Sequence, residues 1–158
     1  MTKKFACVAL MLLLAVTVGA FQEESEPNSS RGLADGPISF NEVIKGYLPG
    51  VYGDTSPYDD YWSFSATAGN TYTFTAEPKN TSFLYHLDID LELQNSSGGF
   101  IKESRVGGDD ENEILTWTCT SSGTYYLDIY EGTGISNPAS WYECNCEEST
   151  GVEDWELY

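Results

Sequence analysis

The stretch that most constrains the fold is residues 114–130, ILTWTCTSSGTYYLDIY. Leu115, Trp117 and Cys119 fall on one side of an alternation, and Thr116 and Thr118 on the other. Successive side chains of a β-strand point to opposite faces, so this is the pattern of a half-buried strand. Ser121, Ser122 and Gly123 break it. The return arm puts Tyr125, Leu127 and Ile129 on one face and Tyr126, Asp128 and Tyr130 on the other. β-Branched and aromatic residues dominate both arms, as a pleated packing surface requires. The stretch predicts strand, tight turn, strand, with Gly123 supplying the backbone freedom of a short hairpin loop.

The same signature recurs along the chain. Residues 87–94, LDIDLELQ, alternate without a break: Leu87, Ile89, Leu91 and Leu93 one way, Asp88, Asp90, Glu92 and Gln94 the other. Further strands are predicted over 42–48, 61–66, 71–76, 100–105 and 140–146. Turn signals stand between them at Ala68-Gly69-Asn70 and at residues 95–99, NSSGG. That makes about eight short strands and no helix after residue 20. The expected class is all-β, an antiparallel β-sandwich of jelly-roll type.

Residues 1–20 have the form of a secretory signal. Lys3 and Lys4 precede an apolar run, and Val18-Gly19-Ala20 supplies small residues before a cut. The run is short for a membrane span and is followed by acidic residues, so cleavage is expected and no membrane association thereafter. The expected organisation is a signal at 1–20, an acidic segment at 21–37, the sandwich at 38–146 and an acidic tail at 147–158. The location is secreted or extracellular, or the periplasm or cell surface. With 25 acidic and 7 basic residues the net charge is −18. Such a surface repels nucleic acid and anionic membranes and suits divalent cations.

Export also predicts a disulfide among Cys119, Cys144 and Cys146. Cys144 and Cys146 lie two apart on one strand, where a mutual bond strains the backbone. Cys119 paired with one of them is expected, closing a loop of about 25 residues and contributing roughly 3 kcal/mol on the chain-entropy picture. A zinc site built on the three cysteines lacks a clear fourth ligand.

Chemistry for catalysis is sparse. His86 is the single histidine, without a Gly-x-Ser-x-Gly elbow. Asp88 and Asp90 have the look of a glycosidase pair, but their alternation with leucines reads as one solvated strand face. No enzyme is expected. The acidic N-terminal segment is different: Glu24, Glu26 and Asn28 place oxygen ligands at every second position, stiffened by Pro27.

Four motifs in order then resemble the bacterial and archaeal pre-peptidase C-terminal domain, which is similar to the collagen-binding domains of clostridial collagenases. They are Glu24-Ser25-Glu26-Pro27-Asn28; Asp60-Tyr61-Trp62-Ser63-Phe64 with Ala68-Gly69; residues 88–93, DIDLEL, with Gly98; and Ser122-Gly123-Thr124-Tyr125-Tyr126-Leu127. The resemblance spans roughly residues 24–146. It implies a jelly-roll sandwich without an active site, serving attachment or supporting a secreted hydrolase. It also implies a Ca²⁺ site at Glu24, Glu26, Asn28 and Asp60. The family's acidic position two before Asp60 is Tyr58 here, with Asp59 or Asp54 as substitutes. The expected partner is an extracellular polymer, protein or polysaccharide, or a separate secreted peptidase. A carbohydrate-binding module is the alternative, with Tyr58, Trp62, Trp141 or Tyr142 stacking on sugar rings. A small secreted hydrolase is the third reading, with no motif in its favour.

Overall fold

A computed structural model of the chain describes residues 21–48, 59–79, 86–132 and 140–151. The described residues form nine strands: β1 (Phe21–Glu23), β2 (Glu42–Tyr47), β3 (Asp59–Ala66), β4 (Thr71–Lys79), β5 (Ile89–Asn95), β6 (Phe100–Ser104), β7 (Glu113–Thr118), β8 (Gly123–Glu131) and β9 (Trp141–Ser149). They assemble into a five-stranded sheet, β1-β2-β9-β4-β7, and a four-stranded sheet, β3-β8-β5-β6. Without β1, the two orders are those of a jelly roll: eight strands in two four-stranded sheets wound as Greek keys. All pairings are antiparallel except β1 with β2, where Phe21 aligns with Val43. Among the described residues no helix is long and apolar enough to cross a membrane.

The alternation seen in the sequence decides what lies between the sheets. Trp62, Phe64 and Ala66 of β3, Tyr72, Phe74 and Ala76 of β4, and Leu91 and Leu93 of β5 are buried. Each fully buried leucine or phenylalanine contributes roughly 1.5–3 kcal/mol of transfer free energy. Phe40, in the loop before β2, wedges against Phe64, Tyr72 and Phe74, with ring centroids 5.6, 4.9 and 6.2 Å away.

The predicted hairpin over 114–130 is not formed. Its arms, β7 and β8, have the expected inward faces, but β7 pairs with β4 and β8 pairs with β3 and β5. Two arms that each carry one apolar face can bury both by lying opposite one another across the core. Trp117 and Tyr125 meet in this way at 4.7 Å between centroids. The connecting turn therefore passes from one sheet to the other. Positive φ falls instead at Gly69 and Gly98, inside the two turns read from the sequence. β1 is a further departure, since Phe21–Glu23 reads as tail but pairs along β2. β4 and β9 extend past the predicted ends, to Lys79 and Ser149.

The expected disulfide is also corrected. Cys119, Cys144 and Cys146 are free and buried. Cys119 follows β7, the other two lie on β9, and β4 runs between those strands. Two interstrand spacings amount to about 10 Å, beyond the roughly 7 Å Cα separation a disulfide spans. The thiols instead serve as small apolar groups: Cys119 Sγ donates to Ser121 O at 3.1 Å, and Cys146 Sγ to Cys144 O at 3.6 Å. Burial and the neighbouring Cys144 sulfur push the Cys146 thiol well above its ordinary range, with the hydrogen bond to Cys144 the leading cause.

Candidate metal centre

At one end of the sandwich the N-terminal segment folds back over the start of β3. Backbone bonds fix it there: Glu24 N to Lys45 O at 3.0 Å, Tyr61 N to Asn28 O at 3.1 Å, and Asp35 N to Tyr61 O at 2.9 Å. The Glu26–Pro27 peptide bond within it is cis. Alternation along β3 sends Asp60 inward with Trp62 and Phe64, so its carboxyl is only 2% exposed. Glu24 and Glu26 descend on it from the segment above. One carboxylate oxygen from each of the three lies within 4.8 Å of the others. Ca²⁺ holds oxygens at 2.3–2.6 Å, so ligands on opposite sides of one ion stand about 5 Å apart.

The hydrogen bonds around this cluster leave lone pairs aimed at its centre. Glu24 Oε1 accepts from Tyr47 N at 2.6 Å, while Glu24 Oε2 is buried without a partner. Asp60 Oδ2 is likewise buried and unpartnered. The fully buried Asn28 is the most informative member. Its Nδ2 donates to Asp35 Oδ2 at 3.3 Å. That orientation turns its side-chain oxygen toward Glu26 Oε2 at 3.2 Å and Asp60 Oδ1 at 3.3 Å, acceptor against acceptor. Rotating the amide lets nitrogen donate to those two carboxylates and satisfies both ends of the amide, in exchange for the bond to Asp35. With an ion among the four side chains, the unrotated amide would instead direct its oxygen to the ion and keep its nitrogen on Asp35. The residues present thus fit Ca²⁺, with hard oxygen donors on Glu24, Glu26, Asn28 and Asp60 and further positions open to water.

The electrostatics agree. Burial is the main cause raising the Glu24 carboxyl, and burial followed by the charge of Glu24 raises Asp60 well above the usual carboxylate range. The Tyr142 hydroxyl opposes the shift of Asp60. It also accepts a hydrogen bond from Trp62 Nε1 at 2.9 Å, so a buried Trp–Tyr pair forms the floor beneath the carboxylates. Gly46 of β2 completes the cradle: a Cβ there collides with the Tyr142 hydroxyl and with Glu24 Oε2.

Of the residues predicted from sequence, Glu24, Glu26, Asn28 and Asp60 come together. Asp59 does not. It is one residue from Asp60 on a strand, so its side chain leaves on the opposite face, opposite Tyr130. Trp62 is core, fully buried, and offers no ring to a ligand. Tyr142 is buried beside it. Trp141 is half-buried with the Lys45 ammonium 4.3 Å from its ring centroid. Tyr58 lies outside the described residues. Sequence reasoning missed Asp35, Gly46 and Tyr142 as parts of the cradle. All three come from separate segments and bear no common spacing.

No family model and no curated protein matches the sequence. Among solved structures, the chain is similar to the pre-peptidase C-terminal domain of a collagenase from Bacillus anthracis, with a TM-score of 0.48 and 16% identity over 82% of this chain and 96% of that one. It is also similar to PliG, a periplasmic inhibitor of g-type lysozyme from Aeromonas hydrophila, with a TM-score of 0.47 and 12% identity over 82% of this chain and all of that one. The first bears the domain name that the sequence motifs suggested.

Proposed function

We propose that the chain is an exported, non-catalytic binding module whose N-terminal segment is fastened to the sandwich by Ca²⁺. The observation that carries this reading is the convergence of Glu24, Glu26 and Asp60, with one carboxylate oxygen from each within 4.8 Å of the others and with Glu24 Oε2 and Asp60 Oδ2 buried and unpartnered. The signal-like residues 1–20 and the strongly acidic composition support export and solubility in a calcium-containing medium. The ion is structural in this scheme. Glu24, Glu26 and Asn28 come from the covering segment and Asp60 from the sheet, so the cation cross-links the two. The carbohydrate-binding alternative loses its main support, since Trp62 is interior and Lys45 covers Trp141. Calorimetric titration of the chelator-stripped protein with Ca²⁺ tests the proposal. One site per chain, abolished by Asp60→Asn, is the expected result, and absence of binding heat at millimolar Ca²⁺ rejects it.

A further inference from the structure

The outward face of the four-stranded sheet carries a second acidic feature, separate from the metal centre. The registers of β3, β8, β5 and β6 align Tyr61, Asp128, Glu92 and Glu103 in one row across all four strands. The next row is Asp59, Tyr130 and Asp90, with Arg105 at its end. An acidic sheet face alone says little. Two details here are more specific.

The first is Asp128. It faces away from the core yet is only 6% exposed, and its Oδ1 is buried without a hydrogen-bond partner. A buried acceptor without a donor is costly, and a water, an ion or an incoming donor is what satisfies such a group. The second is Arg105. Its guanidinium sits 5.4 Å from the Tyr130 ring centroid, with Nη2 3.0 Å from Glu103 and Nε 3.9 Å from Asp90. One half of the face is therefore already occupied by a guanidinium of the chain itself. The other half repeats the same elements, a tyrosine ring (Tyr61) with flanking carboxylates (Asp59, Asp128, Glu92). β3, β5 and β8 contain no lysine or arginine to fill it.

We infer that the Tyr61–Asp128–Glu92 row is a docking site for an arginine side chain presented by a basic segment of a partner protein. Arginine suits it better than lysine, because the planar fork pairs with carboxylates bidentately and stacks on a tyrosine ring. A bare metal ion suits it less: among the described residues, the one group of three carboxylates converging within coordination reach is Glu24, Glu26 and Asp60. Burial, the main cause, lifts the Asp128 carboxyl to about 7, with Asp59 and Glu92 adding to it and the Tyr61 hydroxyl opposing. An incoming guanidinium relieves that penalty. The chain's net charge of −18 draws a basic segment toward it, and the row gives the segment an address. This inference does not depend on the calcium reading.

The test is a calorimetric titration of the calcium-loaded full chain with acetyl-GRGRG-amide and with acetyl-GKGKG-amide. The arginine peptide is expected to bind at least fivefold more tightly than the lysine peptide. Asp128→Asn should weaken it about tenfold, and Tyr61→Leu should erase the preference for arginine. Glu147→Gln removes the same charge from the outer face of the other sheet and should change binding less than twofold. Equal weakening by Asp128→Asn and Glu147→Gln would reduce the effect to net charge and overturn the inference. So would equal affinity for the two peptides, or no binding heat with either.

Discussion

The substitution Asp60→Asn separates a cation site from a shared-proton cluster, because the two pictures demand stability changes of opposite sign under two conditions. Asp60 is 2% exposed and shares its cavity with Glu24, their ligand oxygens within 4.8 Å. Two unit charges at that separation repel by roughly 3 kcal/mol at an effective dielectric constant of 20. In chelator, removing one of them without changing its shape should stabilise the fold, by about 1–3 kcal/mol once partial protonation is allowed for. In Ca²⁺ the wild-type chain gains about 2.7 kcal/mol at a hundredfold excess over Kd, because only the folded state assembles the ligands. For a domain of this size that corresponds to a rise in Tm of roughly 10 °C. Asp60→Asn should show little of it. Differential scanning calorimetry in chelator and in Ca²⁺ should therefore give melting temperatures that cross: variant above wild type without the ion, below it with the ion. A variant less stable than wild type in chelator, or one that keeps the full Ca²⁺ shift, would refute the reasoning. An unchanged wild-type Tm between the two conditions would do so as well, and would assign Asn28 to the rotated orientation.

Further outcomes follow from the same geometry. Glu24 and Asp60 titrate above the usual carboxylate range, so the folded state holds their protons more tightly than the unfolded chain; ion-free stability should rise as pH falls through the raised values, and the Ca²⁺-induced Tm shift should shrink over the same interval. Gly46→Ala drives a methyl into Tyr142 and Glu24, and should cost about 1–3 kcal/mol while weakening Ca²⁺ at least tenfold in calorimetric titration. Asp128, lifted from 3.8 to about 7, penalises folding above that pH by at most roughly 4 kcal/mol; stability should fall from pH 4 to pH 7, and Asp128→Asn should flatten the urea-midpoint profile over that window. Thiol titration of the unfolded chain without reductant should find Cys119, Cys144 and Cys146 all free, and mass mapping that finds any of them paired would contradict the strand order.

Most of the fold was legible because the core is written in period two. Leu87 to Leu93, Tyr72 to Ala76 and Trp62 to Ala66 alternate in the sequence and are buried where the alternation says. What alternation does not encode is the partner. The arms of residues 114–130 are consistent with a hairpin and equally with two strands facing each other across a core, since the pattern fixes which face is apolar and not which edge is bonded. The pairing is decided by the neighbours: β4 offers Thr71 and Thr73, whose hydroxyls meet Thr118 and Thr116 at 2.9 and 3.2 Å, and β3 offers Trp62 and Phe64 opposite Leu127 and Tyr125. The cysteine misreading has the same origin. Three thiols in a chain expected to be exported suggest a bond, but strand order sets their separation, and that order becomes visible only when the sheet is assembled.

The candidate site was legible where its ligands are close in sequence and opaque where they are not. Glu24, Glu26 and Asn28 lie on one short segment, and Asp60 is reached through a motif, whereas Asp35, Gly46 and Tyr142 enter only through contacts. Asp59 and Asp60 show why composition alone fails here. They are the same residue type at consecutive positions, and one step of the pleat sends them to opposite sides of the sheet. Asp60 meets Glu24 and the floor formed by Tyr142, where a shared proton or a compact cation would relieve the repulsion. Asp59 joins Tyr61, Asp128 and Glu92 on the outward face of the four-stranded sheet. Exchanging the local environments would require only a one-residue slip of β3, and the burial of Trp62 and Phe64 forbids that slip, because it would expose both rings to water. The hydrophobic core thus dictates which acidic residue faces inward and which faces out. A bulge introduced by inserting one glycine after Tyr61 should preserve pairing beyond Trp62, reverse the two aspartates and abolish the Ca²⁺-induced Tm shift. Retention of that shift in the insertion variant would mean that the register of β3 does not control the site.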